Sequence, residues 1–354
     1  MASFSLVVRA ITFFTGKLQN ASKVRDEVEY AVSVIDDVSD WLVRNGYEVF
    51  TKRISLPAGS WKLAARALEY LGRDVLLSSG FIEEPDEASV VELLESGVYT
   101  PILHRGSLDI EAMKKYSQII HRVSRRDPQL ATRIAIGFYS EDLLTPYFPG
   151  SSSRGERVLG LAFIYPSMLE DLLKKGMGIE SAIRSVFREF EKIAKEISSR
   201  VGLKTLIDYS LSPWMDHSVA RLLEALGARV AKPGFNYVIS MVNAYIEKHA
   251  SREFATGFNE VMLPYAEDLE LIRYGEKGIV KARDFLLYAT TCVAGVDMVV
   301  VPEDVDSLAK LIADTAAIAL MKKKPVWLRA IPVNLKPGEK VKLGRFGEVA
   351  VLDY

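Results

Sequence analysis

The sequence predicts an α/β fold with mostly parallel strands, and three observations predict it. Short apolar and β-branched runs alternate with amphipathic stretches almost throughout, the pattern of strand–helix–strand units. No linker-like stretch of Ser, Gly or Pro divides the 354 residues, so residues 1–354 read as a single domain. Val296–Val301, continuous but for Asp297, has the composition of a strand covered on both faces, as parallel sheets require. Periodicity does not separate an open doubly wound sheet from a closed barrel.

Taken in order, Phe4–Phe14 is an apolar run with Arg9 set inside it. Ala21–Arg44 places Val24, Val28, Ala31, Ile35, Val38 and Leu42 at helical spacing, and Asn45-Gly46 stops it. Tyr47–Leu56 returns as a strand ending at Pro57; Ser60–Leu71 is helical and Val75–Phe81 is the next strand. Val90–Glu95 is a short helix, Gly97–Pro101 is extended, Ile110–Val123 is amphipathic and Arg133–Phe138 is a strand. Tyr139–Arg157 has no clear period, and long aperiodic loops in compact domains are usually functional. Tyr147, Phe148 and two prolines mark it as ordered.

Val158–Tyr165 is a strand, Ser167–Lys175 and Ile179–Arg200 are helices, and Lys204–Asp208 is again a strand. Ser212 as N-cap and Pro213 at the first helical position predict a helix closing at Gly227. Phe235–His249 is a further helix. The turn Gly257-Phe258-Asn259 leads into a short strand, Val261–Leu263. Glu267 and Asp268 fall in a first helical turn, where carboxylates suit the positive end of the macrodipole. Lys281–Thr291 is helical and Gly295 is a left-handed stop. Asp304 or Asp306 caps a helix to Met321, and Lys322–Lys324 face its negative end. Val326–Val333 is a strand, and Lys340–Leu352 reads as a hairpin around Gly344–Gly347.

Composition narrows the function classes. Lys+Arg 45 against Asp+Glu 46 gives a net charge of -1, so no global field favours nucleic acid or an acidic membrane. One cysteine excludes an internal disulfide framework and a multi-cysteine metal site. The chain shows neither a targeting leader nor an apolar run of spanning length, so the expectation is a cytoplasmic protein. Three Gln and six Asn beside abundant Lys, Arg and Glu fit a thermophile's protein; genomic composition bias gives the same pattern.

No Walker loop, dinucleotide fingerprint or nucleophile elbow is present. The four histidines lie far apart, and His121 and His249 fall near predicted helix ends, where a cation suits the dipole. Cys292 reads as a small buried residue rather than a nucleophile, since nothing near it in sequence would lower its pKa. Ligands of parallel α/β proteins gather at the carboxyl ends of strands, which singles out Arg53, Asp208, Ser210 and Asn259. Asp208 is the candidate acid or base. The run Ser151, Ser152, Ser153 and Arg154 offers hydroxyls, backbone amides and one guanidinium, either as an anion cradle or as a solvated tip. Glu267-Asp268 resemble a metal-binding pair, but a helix N-terminus attracts such carboxylates anyway, and no metal is expected. Asp297, bordering a buried run, needs a partner, and an ion pair with Arg9 or Arg53 would supply one.

Four blocks carry a resemblance to a known family. They are VRAITFF (Val8–Phe14), DYSLSPWMDHSVARLLEALG (Asp208–Gly227), GFNEVMLPYAEDL (Gly257–Leu269) and CVAGVDMVVVPED (Cys292–Asp304). In content and order they resemble the signature blocks of the domain-of-unknown-function 711 family. The resemblance implies a ten-stranded α/β barrel similar to that of pyruvate formate-lyase and ribonucleotide reductase, without an established activity. Glycyl radical enzymes of that fold carry an Arg-Val-Ser/Ala-Gly-Tyr type loop. Here one residue separates Arg345 from Gly347, and Glu348 stands in place of the aromatic, so a hairpin turn is expected and not a radical site.

Two functions stay open. One is an enzyme on a small carboxylate or phosphate, with Arg53 and Ser151–Arg154 holding the anion and Asp208 moving the proton. The other is a non-catalytic binding or sensor protein on the same scaffold. A homodimer anchored by aromatics of the 139–157 loop is expected with either, and the cofactor is left unknown.

Overall fold

A computed structural model describes residues 6–18, 20–106 and 108–354. The first apolar run is therefore followed from Leu6, and Phe4 and Ser5 lie outside the described residues. In chain order the elements are β1 (Val7–Phe14), α1 (Ala21–Arg44), β2 (Glu48–Val49), β3 (Lys52–Ser55), α2 (Ala64–Leu68), β4 (Val75–Ser78), α3 (Glu87–Glu95), β5 (Thr100–His104), α4 (Ile110–Arg126), α5 (Pro128–Ala131) and β6 (Ile134–Phe138). There follow β7 (Val158–Ile164), α6 (Pro166–Lys174), α7 (Ile179–Val201), β8 (Thr205–Asp208), α8 (Val219–Ala225), α9 (Phe235–His249), α10 (Leu269–Glu276), α11 (Asp284–Ala289), β9 (Val296–Pro302), α12 (Val305–Lys322), β10 (Val326–Val333), β11 (Lys340–Lys342) and β12 (Glu348–Ala350). The alternation expected from the sequence is present, and the fold is mixed α/β.

The chain forms two compact units that interleave along the sequence. Residues up to 102, 143–210 and 245–259 make one, and residues 103–142, 211–244 and 260–354 make the other. The first is built on a six-stranded sheet in the order β4-β3-β1-β7-β8, with β2 also beside β1. Its pairings are parallel except at the centre, where β1 and β7 run antiparallel from Val7↔Ile164 to Phe14↔Val158. Helix α1 buries Val24, Val28, Ala31, Ile35, Val38 and Leu42, the stripe its spacing dictates. The Asn20 side chain caps its start by accepting the Lys23 N–H. Phe163 stacks on Phe190 with ring centroids 3.9 Å apart, and Phe187, Tyr165 and Tyr209 complete an aromatic core. Each such ring adds about 1.5–3 kcal/mol on burial.

The chain passes along β5 into the second unit. The sheet there runs β5-β6-β10-β9, again with an antiparallel pairing, β6 against β10, beside the parallel pair β9–β10. Strand β9 is buried from Val296 to Val301 and β10 along its whole length, as their apolar runs predict. The C-terminal hairpin pairs β11 with β12 from Lys340↔Ala350 to Lys342↔Glu348. Among the described residues the strands thus pair as ladders of six and four and a hairpin, where the family resemblance implies one ten-stranded barrel.

Local signals misled at a few places. Tyr47–Leu56 breaks into β2 and β3, Ser60–Leu71 opens as a 3-10 turn before α2, and Val261–Leu263 is reduced to one bridge, Leu211↔Val261. The largest difference is α8, which starts at Val219 and not after Ser212. Its capping groups are Ser218 and, 50 residues on, Asp268. The Asp268 carboxyl accepts the N–H groups of Val219 (2.9 Å) and Ala220 (3.0 Å), the Ser218 hydroxyl (2.6 Å), and the Glu270 and Leu271 N–H groups that open α10. Residues 211–217 are drawn into bridges with 261 and 268 instead. Because one buried carboxyl caps two helices, Asp268→Ala should cost about 2–4 kcal/mol, more than the roughly 1 kcal/mol of a single cap. Urea unfolding of Asp268→Ala beside Ser218→Ala measures the difference.

Candidate functional site

Strand β8 ends on Asp208, and the chain there is held from three directions. The Asp208 carboxyl is buried, and its Oδ1 accepts the Ser210 N–H (3.0 Å), the Ser210 hydroxyl (2.5 Å) and the Asn259 N–H (3.3 Å). Asn259, at φ +55, accepts the Tyr209 N–H on its own Oδ1 at 3.0 Å, so the two segments clasp each other. Asparagine tolerates that left-handed conformation better than most residues. Oδ2 of Asp208 accepts a long bond from the Thr145 hydroxyl at 3.3 Å. Burial pushes the Asp208 carboxyl up from the ordinary range, and the hydrogen bonds from Ser210 and from the Asn259 and Phe258 backbones only oppose that.

Gly257 is what lets this geometry close. It sits at φ +72, and a Cβ there would overlap Oδ2 of Asp208. The same segment fastens the long loop: the Gly257 N–H (2.8 Å) and the Thr256 hydroxyl (2.5 Å) both donate to the Leu144 carbonyl. Nearby, the Tyr165 hydroxyl donates to the Tyr209 carbonyl at 2.7 Å. Burial, with the charge of Asp208 adding to it, raises that phenol.

From Thr145 the loop forms a strap across the sheet. Arg53 in β3 is buried; it donates from Nη1 to the Pro146 carbonyl (2.7 Å) and from Nε to the Thr51 hydroxyl (2.9 Å), and lies over the Phe148 ring. Asp208 and Arg53 are thus brought to consecutive residues of one strap. The serine run lies further along, and it is neither a solvated tip nor an open cradle. Ser151, Ser152 and Ser153 are buried, and Arg154 is exposed. Ser151 donates to the Ser55 hydroxyl (3.0 Å), its carbonyl accepts Ser78 (2.7 Å), and Ser153 donates to the Thr15 carbonyl (2.5 Å). The register puts these serines beyond the Phe14↔Val158 end of the sheet, while Asp208 pairs with Ala162 four positions along β7. That is about 13 Å at 3.3 Å per residue. Ser210 and Asn259 share the site of Asp208; Ser151–Arg154 do not.

The other candidates resolve into structural roles. Asp297 has a partner within its own unit, Arg329 of β10, at 2.7 and 3.0 Å. Glu267 joins the same guanidinium at 2.8 Å, so Glu267 and Asp268 face different tasks. Among the described residues no cluster of three or more His, Cys, Asp or Glu could hold a metal ion. Cys292 is fully buried and its thiol is pushed up to about 12 by burial. Lys322 donates to the Ala289 and Cys292 carbonyls at 2.9 and 2.8 Å, so it caps the end of α11 as well as closing α12. Gly344–Phe346 forms the 3-10 turn of the hairpin, with Gly347 after it. Aromatics of the 139–157 loop are not all exposed anchors: Phe148 is buried and Tyr147 packs on Phe258, leaving Tyr139 outward.

Thr145, Gly257 and Arg329 were not singled out from the sequence. A threonine before a proline carries no signal of a partner 63 residues away. Gly257 was legible as a turn, though not as the residue that admits a carboxyl. Arg329 was legible as a charge inside an apolar run, the same signal that drew attention to Asp297.

Residues 96–344 match the family described as Uncharacterised ACR (DUF711). Among curated relatives, a UPF0210 protein of Pyrobaculum arsenaticum is 28% identical over 269 residues, covering 70% of this chain and 59% of that protein. UPF0210 proteins of Lactobacillus helveticus and Lacticaseibacillus casei are 26% identical over 270 residues, each match covering 70% of this chain and 60% and 58% of theirs. The chain therefore spans about 60% of the length of these relatives.

The raised carboxyl has a signed consequence. A carboxyl whose folded pKa lies above its unfolded value of about 3.9 favours the fold fully below that value. The advantage is lost as pH rises through the folded pKa. Asp208→Asn keeps an acceptor for Ser210 and removes the titration. The melting temperature of the variant relative to the parent should rise from pH 4 upward and then level off; a pH-independent difference would contradict the shift. Gly257→Ala should cost more than the about 1–2 kcal/mol of its left-handed backbone alone, because Asp208 must also move; urea unfolding reads this.

Proposed function

The chain belongs to the family described as Uncharacterised ACR (DUF711), and from that premise we propose that it is an enzyme acting on a small anionic metabolite, a carboxylate or a phosphate, with Asp208 exchanging the proton. The observation that carries this reading is the state of the Asp208 carboxyl. It is buried at the carboxyl end of a strand, has raised proton affinity, and accepts a long 3.3 Å bond from Thr145 on Oδ2. A general acid or base at neutral pH needs that combination of elevated pKa and an exchangeable bond. In the proton form Oδ2 donates to a substrate oxygen; as the carboxylate it takes a proton back. Ser210 and Asn259 hold Oδ1 through both states. Arg53, on the next residue of the strap, is the cation for the substrate's charge, and Arg154 is the exposed cation of the serine run.

A second reading, a binding or sensor protein without catalysis, is favoured by a different observation. Arg53 and the three serines already hold the protein's own carbonyls and hydroxyls. The proposal keeps the ten-stranded barrel implied by the family resemblance as the fold, supported by the parallel ladders of each unit. It also keeps a homodimer, now supported by the exposed Tyr237, Leu287 and Met321 of the second unit. Sedimentation showing a monomer at high concentration would reject the dimer. No described helix is long and apolar enough to cross a membrane.

The test is a thermal-shift screen of carboxylates and phosphates, followed by turnover of any compound that shifts the melting temperature. A ligand at about one hundred times its Kd adds roughly 2.7 kcal/mol. Arg53→Ala should weaken a genuine ligand by about 1.5–3 kcal/mol, the range of a charged hydrogen bond. Asp208→Asn should keep binding and lose turnover. Turnover at the parental rate in Asp208→Asn removes the acid–base role, and a ligand bound but never consumed by the parent favours the sensor.

A further inference from the structure

Asn259 is pinned by two hydrogen bonds and keeps one group to spare. Its backbone N–H donates to Oδ1 of Asp208 at 3.3 Å, and its side-chain Oδ1 accepts the Tyr209 N–H at 3.0 Å. The second bond decides which way the amide faces, since turning it over would set Nδ2 against another N–H donor. Among the described residues Nδ2 itself has no partner, and it is not sealed from solvent. The residue also sits at φ +55. Glycine would take that conformation freely but would bring no amide, and such outliers cluster at active sites and ligand clamps. Because the Asn259 nitrogen lies 3.3 Å from Oδ1 of Asp208 and the side chain is one residue long, Nδ2 is at most about 8 Å from that oxygen.

The sheet leaves an opening beside the same carboxyl. Of the seven residues of β7, Ala162 alone is not buried. Strands β1 and β8 flank it, and Leu161 and Phe163 are buried on the opposite face. Solvent therefore reaches Ala162 on the face it shares with Asp208, its partner in the ladder, one strand spacing of about 4.8 Å away. Gly160, next on that face, is closed off by the Phe14 ring, which a Cβ there would meet at 2.7 Å. Whatever rests on Ala162 meets a methyl group and no side-chain donor, which suits a short carbon chain.

We infer that the Asn259 amide holds the carbonyl oxygen of a small oxo acid, and that the reaction is a proton transfer at the carbon beside that carbonyl. This rests on the reading of Asp208 as the group that exchanges the proton, and among the carboxylates of that reading it selects those with an oxo group. A neutral amide donor suits an oxygen that is uncharged at the start and negative in the transition state. Asp208, as the carboxylate, takes the proton from the α-carbon. The C–H electron pair becomes the C=C bond of an enolate, and the negative charge moves to the oxygen facing Nδ2. Return of a proton from Asp208 to carbon restores the carbonyl, so no oxidant, reductant or second substrate is consumed. A carboxyl with raised proton affinity is a better match to such a carbon acid than an ordinary one.

Hydrogen exchange in D2O, followed by proton NMR with the full chain, tests this. The probes are 2-oxobutanoate and 4-oxopentanoate, with butanoate as the control that lacks the oxo group. The parent should exchange the α-protons of at least one oxo acid at least about a hundredfold faster than buffer alone, and leave butanoate unchanged. Asn259→Asp keeps an oxygen for the Tyr209 N–H and loses the donor, so exchange should fall by about 10²–10³-fold while a cooperative melting transition persists. Asn259→Gly accepts the left-handed backbone, also lacks the amide, and should lose exchange to a similar extent. Parental exchange in both Asn259 variants, with exchange lost in Asp208→Asn, overturns the inference and leaves the reading of Asp208 standing. Parental exchange in Asp208→Asn removes both. A parent that exchanges neither oxo acid faster than buffer overturns the inference as well.

Discussion

One carboxyl group organises the first unit. Asp208 gathers hydrogen bonds from its own turn at Ser210, from Asn259 and from Thr145. Buried loops are rare because each brings backbone groups that must be satisfied away from water. Here a side chain does what a neighbouring strand would otherwise do. The strap then runs on over Arg53, and the serine run fills the far end of the sheet.

A comparison inside the molecule shows why Asp208 and not another buried acid is the candidate for chemistry. Asp268, in the second unit, is also fully buried and is also raised by desolvation. Both of its oxygens are engaged by short bonds from helix N-termini and Ser218. Protonating or deprotonating a substrate through such a group would undo two caps. The Thr145 bond at Oδ2 of Asp208 is long, and it can exchange partners while Oδ1 keeps the loops in place. The distinction rests on how the two oxygens of each group are shared, which neither burial nor the direction of the shift reveals alone.

Much of the fold was legible because its signals are local. Helix α1 was bounded correctly by its apolar stripe and by Asn45-Gly46, and β9 by a run of valines that suits only a covered strand. Of the two aspartates offered as the cap of α12, Asp304 and Asp306, it is Asp304 that caps it. The failures share one cause. Ser212-Pro213 is a sound helix start by itself, but Asp268 supplies a better cap at Val219 from a remote segment, and sequence carries no mark of that competition. The candidate site was half legible for the same reason. Strand-end reasoning found Asp208, Ser210 and Asn259 together, while the separation of the serine run from Asp208 follows from β1 and β7 running antiparallel, of which one chain gives no sign.

That central antiparallel pairing also bears on how the chain is made. The partner of β1 is β7, roughly 140 residues later, and ribosomes elongate at about 5–20 residues per second. For on the order of ten seconds, then, β1 exists while the strand that covers its open side has yet to be synthesised. Its sequence is almost wholly apolar, and an uncovered edge of that kind templates aggregation. The parallel partner β3 and the helix α1 are available almost at once and protect only one side. The nascent β1 segment therefore stays open to aggregation on one side until β7 emerges to cover it.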